Sequence, residues 1–230
     1  MSLPPSELGT KSHWDSVYSL EVANLDEFSD EGEVWFGEEA EEKIIEWIEE
    51  HVAPVSPGSP TAIRVLDVGT GNGHLLCRVA EEFAHLVPDK MMLTGVDYSE
   101  SAVQLARQVA AKHGLESRVD FFALDFLRDP VPYQGEWDLL LDKGTLDAIS
   151  LCPDLVDGQP ADHVYVRQAA KALGPHGILL VTSCNWTEEE LIEKFAPVGL
   201  VVHSTVRMPV IEFGGHVGST TAVVAFHRAA

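Results

Sequence analysis

The sequence predicts an α/β domain with a mostly parallel sheet that ends in an antiparallel C-terminal hairpin. Between residues 64 and 195, short apolar runs that suit buried strands alternate with segments of helical periodicity. This alternation is typical of parallel βαβ units whose sheet is covered on both faces. A glycine-rich loop follows the first apolar run. The two β-rich runs that close the chain are too near each other for a crossover helix, so we expect them to pair antiparallel.

The composition fits one folded domain with an appended segment. The chain has 230 residues, of which 45% are hydrophobic and 23% are charged, so it can bury a core and does not resemble a disordered protein. Its 15 Lys and Arg residues against 37 Asp and Glu residues give a formal net charge of -22. A field of this sign repels phosphate and argues against a nucleic-acid partner, while it suits a basic partner or simple solubility equally well.

The first part of the chain is acidic, and we expect it to be helical near its end. Fifteen Asp or Glu residues lie between Glu7 and Glu50, where Lys11 and Lys43 are the only Lys or Arg residues. Apolar residues recur there at the spacing of an amphipathic helix, which predicts a helix over residues 38–51. They are Ala40, Ile44, Trp47 and Ile48.

A proline-rich segment separates this helix from the rest of the chain. Residues 54–60 contain three prolines and can continue neither a helix nor a central strand, so they are predicted to be a linker. The chain is therefore divided into an acidic helical extension or lid (1–53), a linker (54–62) and a cofactor-binding domain (63–230).

Within that domain, strands and helices can be placed in order. Predicted strands cover residues 64–68, 91–96, 119–124, 137–141, 177–182, 200–208 and 220–227. Predicted helices cover residues 75–83, 100–113, 161–173 and 187–195. Ser99 suits the N-cap of the second of these helices and Gly114 its C-terminal stop, and Thr187 with Glu190 forms a capping box.

Nothing in the sequence indicates a membrane, metal or secreted protein. No apolar run approaches the roughly 18 residues that span a bilayer, and the N-terminus lacks the pattern of a secretory signal. Cys77, Cys152 and Cys184 are odd in number and far apart, which favours a reducing compartment. The histidines form no metal motif. We expect a cytoplasmic protein, with a nuclear pool left open, and no metal site.

The strongest chemical signal is the loop Asp67-Val-Gly-Thr-Gly-Asn-Gly73 between the first strand and its helix. Glycines let such a loop adopt unusual backbone dihedrals and approach a ligand closely. The spacing differs from the GxGxxG dinucleotide fingerprint, since His74 stands at its last glycine position. It resembles the nucleotide loop of class I S-adenosylmethionine methyltransferases, although a tight βα turn with no ligand is the alternative.

Acidic residues follow the next three strands. Asp97, at the end of the second strand, can accept hydrogen bonds from both ribose hydroxyls of an adenosine; its spacing also fits NAD, and a solvent-exposed Asp is the alternative. Asp125 follows the third strand where this enzyme class contacts adenine, and Phe126 either packs on that ring or fills the core. Asp142 ends the fourth strand and could attract a lysine ammonium, whereas Asp147 suits a loop hydrogen bond.

Further motifs are shared with one family. They are Glu7-Leu-Gly-Thr10, His13-Trp-Asp15, Glu33-Val-Trp-Phe-Gly-Glu38, Asp142-Lys-Gly-Thr-Leu-Asp-Ala-Ile149, Thr182-Ser-Cys-Asn-Trp-Thr187, Phe213-Gly-Gly215 and Val223-Val-Ala-Phe226. With them the chain resembles the elongation factor 1-alpha lysine methyltransferase family over nearly its whole length. The tetrad from Asp142 to Thr145 also occurs in a larger dual methyltransferase of the same elongation factor. The chain departs from the family at residues 54–60 and 228–230, where no catalytic residue is expected.

This resemblance implies a Rossmann-like, seven-stranded class I methyltransferase fold and methyl transfer from S-adenosylmethionine to a lysine of translation elongation factor 1-alpha. We also expect a monomer with no nucleic-acid or membrane partner. The residues implied to bind the cofactor are Asp67, Gly69, Thr70, Gly71, Asn72, Gly73, Asp97, Tyr98, Asp125, Phe126 and Asp142. Asp142 is also expected to position the substrate lysine, and no general base is assigned.

Four residues are expected at the substrate pocket, each with an alternative role. Trp35 and Phe36 precede the first predicted helix and form either a lid with aromatic walls for the lysine or an anchor that docks the helix on the sheet. Asn185 and Trp186 lie either at the edge of the pocket or only at the entry of the next helix.

Three other functions stay open on the sequence alone. A small-molecule methyltransferase would use the same scaffold, although extra helices usually enclose its acceptor pocket. A degenerate, non-enzymatic binding module is the second alternative. Such a module would not need the intact loop and Asp97 that this chain has. A dehydrogenase is the third alternative, because the spacing from the loop to Asp97 also fits NAD.

Overall fold

Strands and helices alternate through the described part of the chain, which in this computed structural model comprises residues 3–52, 62–86, 89–208, 211–213, 216–218 and 221–229. The strands are β1 (Ile63–Val68), β2 (Met91–Asp97), β3 (Val119–Ala123), β4 (Trp137–Lys143), β5 (Leu155–Val156), β6 (Gln159–Pro160), β7 (Leu173–Ser183), β8 (Leu200–Thr205), β9 (Ile211–Phe213), β10 (His216–Gly218) and β11 (Ala222–Arg228). The helices are α1 (Lys11–Phe28), α2 (Gly37–His51), α3 (His74–Glu82), α4 (Glu100–Lys112), α5 (Thr145–Ser150), α6 (Ala161–Ala172) and α7 (Glu188–Phe195). Of the predicted linker, 54–62, only residue 62 is described, and Gly214 and Gly215 also lie outside these ranges.

One sheet organises the fold, with the strand order β3-β2-β1-β4-β7-β11-β8. The first five strands of this order pair in parallel, and β11 pairs antiparallel with both β7 and β8. The predicted fold class, a mostly parallel sheet with an antiparallel C-terminal pair, is confirmed. From β1 the chain first adds β2 and β3 on one side of the sheet. It then crosses to the other side of β1, where it adds β4. A crevice therefore opens at the carboxyl ends of β1, β2 and β4.

Helices cover both faces of the sheet, which explains why its inner strands are apolar along most of their length. One core layer lies under α1, α2, α3 and α4 and includes the fully buried Ile48, Leu76 and Leu105. The other lies under α5, α6 and α7 and includes Tyr165 and Phe195. Within the described ranges, no helix combines the length and apolar character that crossing a membrane requires.

The structure differs from the sequence-based expectations mainly in short or weakly patterned elements. Helix α1 was not predicted, because only Tyr18 and Leu25 of its 18 residues are buried and no apolar stripe marks it. The six residues of α5 and the two-stranded pairs β5–β6 and β9–β10 are too short to give a periodic signal. The predicted boundaries shift by a few residues, and the strand predicted from residue 177 begins at Leu173.

The capping box at the start of α7 is present as predicted. The Thr187 hydroxyl accepts a hydrogen bond from the Glu190 N–H at 3.2 Å, and the Thr187 N–H donates to the Glu190 carboxylate at 3.0 Å. Two N–H groups at the helix terminus, which have no partner within the helix, are satisfied in this way.

We expect Thr187→Ala to lower the free energy of unfolding by about 1 kcal/mol, because it removes the acceptor of the Glu190 N–H. Chemical denaturation with and without the substitution measures this difference. Thr187→Ser keeps the hydroxyl and is the matched control, which should remain within about 0.5 kcal/mol of the unaltered protein. Equal losses in both variants would contradict a role for the hydroxyl as a cap.

Candidate functional site

The candidate site lies at the carboxyl edge of the sheet, around the loop from Val68 to His74. The loop follows β1, and α3 begins at its end. Gly69, Gly71 and Gly73 all have positive φ angles, of +69°, +56° and +74°. A Cβ on Gly69 would lie 2.1 Å from the Thr145 hydroxyl, and one on Gly71 would lie 2.7 Å from the Tyr18 hydroxyl. The loop therefore requires glycine for its dihedrals and for its close neighbours.

Asp67 stabilises the loop through a buried hydrogen bond. Its side chain is buried and accepts a hydrogen bond from the Thr70 hydroxyl at 2.7 Å. The N–H groups of Gly69 and Thr70 both donate to the Val96 carbonyl, which ties the loop to β2. Burial raises the pKa of Asp67 to about 6. The structure thus gives Asp67 contacts within the chain that hold the loop in shape.

Asp97 joins the loop to the end of β2. Its carboxylate accepts hydrogen bonds from the N–H groups of Gly71, at 3.1 Å, and Ser99, at 2.9 Å. Burial raises its pKa to about 6, although both N–H donors favour the ionised form. Each carboxylate oxygen has two lone pairs, so one on each remains for a further donor. This suits the predicted role of binding ribose hydroxyls.

A cleft of about 510 Å³ opens beside Asp97, at the ends of β2 and β3 and under the start of α1. Its lining residues are Lys11, Asp15, Tyr98, Glu100, Ser101, Ala123, Leu124, Asp125 and Asp129. The Lys11 ammonium lies 5.4 Å from the centre of the Tyr98 ring. The structure thus brings Tyr98 and Asp125, two predicted cofactor residues, to one cavity.

The two neighbours Asp125 and Phe126 have different surroundings. The Asp125 carboxylate accepts hydrogen bonds from the Leu127 N–H at 3.0 Å and from the Arg128 guanidinium at 2.8 Å. Phe126 is buried in the core, and its ring centre lies 5.6 Å from that of Tyr165. Of the two roles considered for Phe126, the structure therefore places it in the core rather than in the wall of the cleft.

Asp142 is turned into the protein. Its carboxylate accepts hydrogen bonds from the N–H groups of Thr145, at 2.8 Å, and Leu146, at 3.0 Å, and from the Tyr165 hydroxyl. Only 1% of the residue is exposed, and burial raises its pKa to about 7. Asp142 thus caps α5 and places Thr145 against Gly69. Its predicted contact with the substrate lysine stays a prediction.

Asp147 orders the loop after β7. Its carboxylate accepts hydrogen bonds from the Ser183 hydroxyl and from the Cys184 N–H, the latter at 2.8 Å. This is the loop hydrogen-bonding role expected from the sequence. Asn185 is exposed at the edge of the sheet, whereas Trp186 is buried and has the Lys194 ammonium 4.0 Å from its ring centre. Trp186 lines a separate cleft between α6 and α7.

Trp35 and Phe36 lie against the end of β4. Phe36 adopts a left-handed conformation, with φ of +67°, and a Cβ on Gly144 would meet its ring at 2.7 Å. The Lys143 ammonium donates to the Trp35 carbonyl at 3.1 Å. The Trp35 ring is 39% exposed and meets Trp14 edge to face at 5.4 Å. Phe36 therefore has the contacts of an anchor, and Trp35 has the exposure expected of a lid.

The sequence-based prediction missed an ion cluster that surrounds Glu41 on α2. This residue is fully buried, and its carboxylate lies 2.7 Å from the His74 ring nitrogen and 3.4 Å from the Lys143 ammonium. The hydrogen bond with Glu41 raises the pKa of His74. Glu41 precedes Ile44 and Ile48 by three and seven residues, so a carboxylate on the apolar face of α2 was the available signal.

Two further contacts of the N-terminal segment were not foreseen. The Asn72 side-chain amide donates to the carbonyls of Glu31, at 3.1 Å, and Glu33, at 3.3 Å. Tyr18 is buried, and its hydroxyl lies over Gly71. The resemblance implied Asn72 as a cofactor residue, and the structure shows that its amide ties the loop to the turn before α2. Tyr18 had no sequence signal, because its helix was not predicted.

Comparison with known proteins identifies the enzyme class. A methyltransferase-domain family matches residues 60–211. The chain is 53% identical to protein-lysine N-methyltransferase efm4 of Schizosaccharomyces pombe, over 97% of this chain and 95% of that protein. It is 38% identical to human EEF1A lysine methyltransferase 2, over 97% of this chain and 88% of that protein. Among solved structures, it resembles a TehB-like SAM-dependent methyltransferase from Corynebacterium glutamicum, with a TM-score of 0.58, 15% identity, and 96% and 100% of the two chains covered.

The Glu41 cluster should make the stability depend on pH. Because the pKa of His74 is raised above its ordinary value of 6.5, its pairing with Glu41 contributes fully below that pH. The contribution is lost as the pH rises through the higher folded-state pKa. We expect His74→Gln to lower the free energy of unfolding by about 3 kcal/mol at pH 6 and by less at pH 9.

Chemical denaturation between pH 6 and pH 9 measures this difference. His176→Gln, at an exposed position of β7, is the matched control and should change stability little at either pH. A loss for His74→Gln that stays constant or grows with pH would show that the charged pair does not form.

Proposed function

Because the chain belongs to the elongation factor 1-alpha lysine methyltransferase family, we propose that it methylates a lysine of that elongation factor with S-adenosylmethionine as methyl donor. The observation that carries this proposal is the identity of 53% to a named protein-lysine N-methyltransferase over nearly the whole of both chains. The geometry supports it, because the glycine loop, Asp97 and a cleft meet at one edge of the sheet.

The residues present fit S-adenosylmethionine. Gly69, Gly71 and Gly73 leave the loop backbone without side chains at these positions, so a ligand can approach it closely. The buried Asp97 carboxylate retains lone pairs for the two ribose hydroxyls, and Tyr98 and Asp125 line the adjoining cleft for adenine. When bound, the cofactor supplies a methyl group activated by a positively charged sulfonium.

The chain's own contribution to methyl transfer is alignment. In-line displacement forms the bond from lysine nitrogen to methyl carbon as the bond from sulfur to carbon breaks, so donor and acceptor must be held in line. The lysine ammonium, with an ordinary pKa of about 10.4, must first release a proton, and burial beside positive charge favours its neutral form. In this proposal the Trp35 ring walls the lysine stem, Phe36 anchors this segment on Gly144, and Asp142 positions α5 beside it.

The protein substrate is proposed to dock on the acidic N-terminal segment. The outer face of α2 carries exposed carboxylates, while its inner face reaches the site through Glu41. A basic face of the elongation factor would be steered to this surface. We propose that the enzyme acts in the cytoplasm as a monomer, with neither nucleic acid nor a membrane as partner; the net charge of -22 supports the first of these exclusions.

Incubation of the purified protein with the folded elongation factor and labelled S-adenosylmethionine tests the function. Mass spectrometry should find methylated lysine in the elongation factor and none when the enzyme is omitted. A panel of small amines is assayed in parallel. If small amines were labelled and the elongation factor were not, the protein would instead be a small-molecule methyltransferase.

We expect Asp97→Ala to weaken the binding of S-adenosylhomocysteine about ten- to a hundredfold. The ribose hydroxyls would lose a charged acceptor, which is worth about 1.5–3 kcal/mol. Isothermal titration calorimetry measures the dissociation constant, and a thermal melt checks that the variant is folded. Asp120→Ala, at an exposed position of β3, is the matched control and should bind normally. An unchanged dissociation constant in folded Asp97→Ala would remove Asp97 from the binding site.

Docking on an acidic surface predicts a steep salt dependence. We expect kcat/KM for the folded elongation factor to fall as ionic strength rises, because exposed charges are screened beyond about 8 Å at physiological salt. A short lysine peptide should be a poor substrate at every salt concentration, since it lacks the surface whose binding energy positions the amine. Equal activity on both substrates with no salt response would exclude this docking surface.

A further inference from the structure

The hydroxyl group of Tyr18, on α1, takes part in none of the hydrogen bonds described above. The residue is 8% exposed, its ring stacks on Trp14 at 5.8 Å, and its hydroxyl lies over Gly71 in the glycine loop. Among the residues that the structure describes, none forms a hydrogen bond with this hydroxyl. The hydroxyl therefore has no partner within the described part of the chain and lies beside the glycine loop, where it is free to bind a group of the cofactor.

The surroundings of Tyr18 keep this hydroxyl a donor. Burial raises the pKa of Tyr18 well above its ordinary range, and the nearby charges of Asp97, Glu21 and Asp67 raise it further. The phenol therefore stays protonated. Asp97 and Asp67 receive their hydrogen bonds from Gly71, Ser99 and Thr70, and neither is bonded to the Tyr18 hydroxyl, so the Tyr18 proton remains available for a ligand.

The loop itself has few donors to spare for an anionic ligand group. The N–H groups that already donate within the chain are those of Gly69, Thr70, Gly71, Gly73 and His74. S-adenosylmethionine carries one anionic group, the carboxylate of its amino-acid half, and its ribose hydroxyls are matched by Asp97. Around the loop, the carboxylate would lie near the buried acids Asp67 and Asp97, so a hydrogen-bond donor at this position would offset their repulsion.

We propose that the Tyr18 hydroxyl donates a hydrogen bond to the carboxylate in the amino-acid half of S-adenosylmethionine. This inference rests on the proposed function and adds a positioning residue supplied by the N-terminal extension. A hydrogen bond at the carboxylate fixes the end of the cofactor from which the methyl group departs, whereas the Asp97 contact fixes the nucleoside. Both contacts together set the direction of the reactive bond.

Two ligands that differ only in the amino-acid half test the proposal. S-adenosylhomocysteine carries the carboxylate, and 5′-methylthioadenosine retains the nucleoside and sulfur but lacks it. Isothermal titration calorimetry gives the dissociation constants of both for the unaltered protein and for Tyr18→Phe. Tyr133→Phe removes a hydroxyl from an exposed ring on the loop before β4 and is the matched control. Thermal melts confirm that each variant is folded.

We expect Tyr18→Phe to weaken the binding of S-adenosylhomocysteine about ten- to a hundredfold. The dissociation constant of 5′-methylthioadenosine should stay within about twofold of its value for the unaltered protein. Equal weakening of both ligands would place the hydroxyl at the nucleoside and overturn the proposal. Unchanged binding of both would show that Tyr18 touches neither half. If the unaltered protein bound no S-adenosylhomocysteine at all, the proposed function itself would fail, which is distinguishable from either result.

Discussion

The buried carboxylate of Glu41 is the contact on which the arrangement of the site depends. It lies on α2, yet it pairs with His74 at the start of α3 and with Lys143 at the end of β4. Burying a charge costs several kcal/mol unless it is paired, so α2 can pack here only while both partners hold their places. Because Lys143 also donates to the Trp35 carbonyl, one ion cluster fixes the loop, the sheet edge and the segment that covers them.

Negative charge buried around the loop is the second constraint. Burial raises the pKa values of Asp67 and Asp97 to about 6 and that of Asp142 to about 7, and N–H and hydroxyl groups donate hydrogen bonds to these carboxylates. A cationic ligand gains Coulombic energy in such a site. The sulfonium of S-adenosylmethionine carries this charge and its demethylated product does not. The buried acids therefore attract the methyl donor through a charge that the product lacks.

The sheet and the glycine loop could be predicted because their signals are local: apolar runs, helix caps and a loop whose spacing is read directly. The contacts that surround the loop could not be predicted from the sequence. Phe36 meets Gly144, and Lys143 meets both Glu41 and Trp35, across about 100 residues that no periodicity connects. Asp142 was correctly placed at the sheet edge, but only the structure shows that its carboxylate faces α5 and Tyr165.

The N-terminal segment therefore completes the site. Tyr18 lies over Gly71, the Asn72 amide bonds to the turn before α2, and Phe36 packs on Gly144, so the loop and the end of β4 are both covered from this side. Helix α2, which follows Phe36 in this segment, carries carboxylates that are exposed to solvent. In the proposed docking mode, a basic protein on that face lies beside the Trp35 ring, where an extended lysine enters. The same segment thus encloses the glycine loop and carries the proposed docking surface.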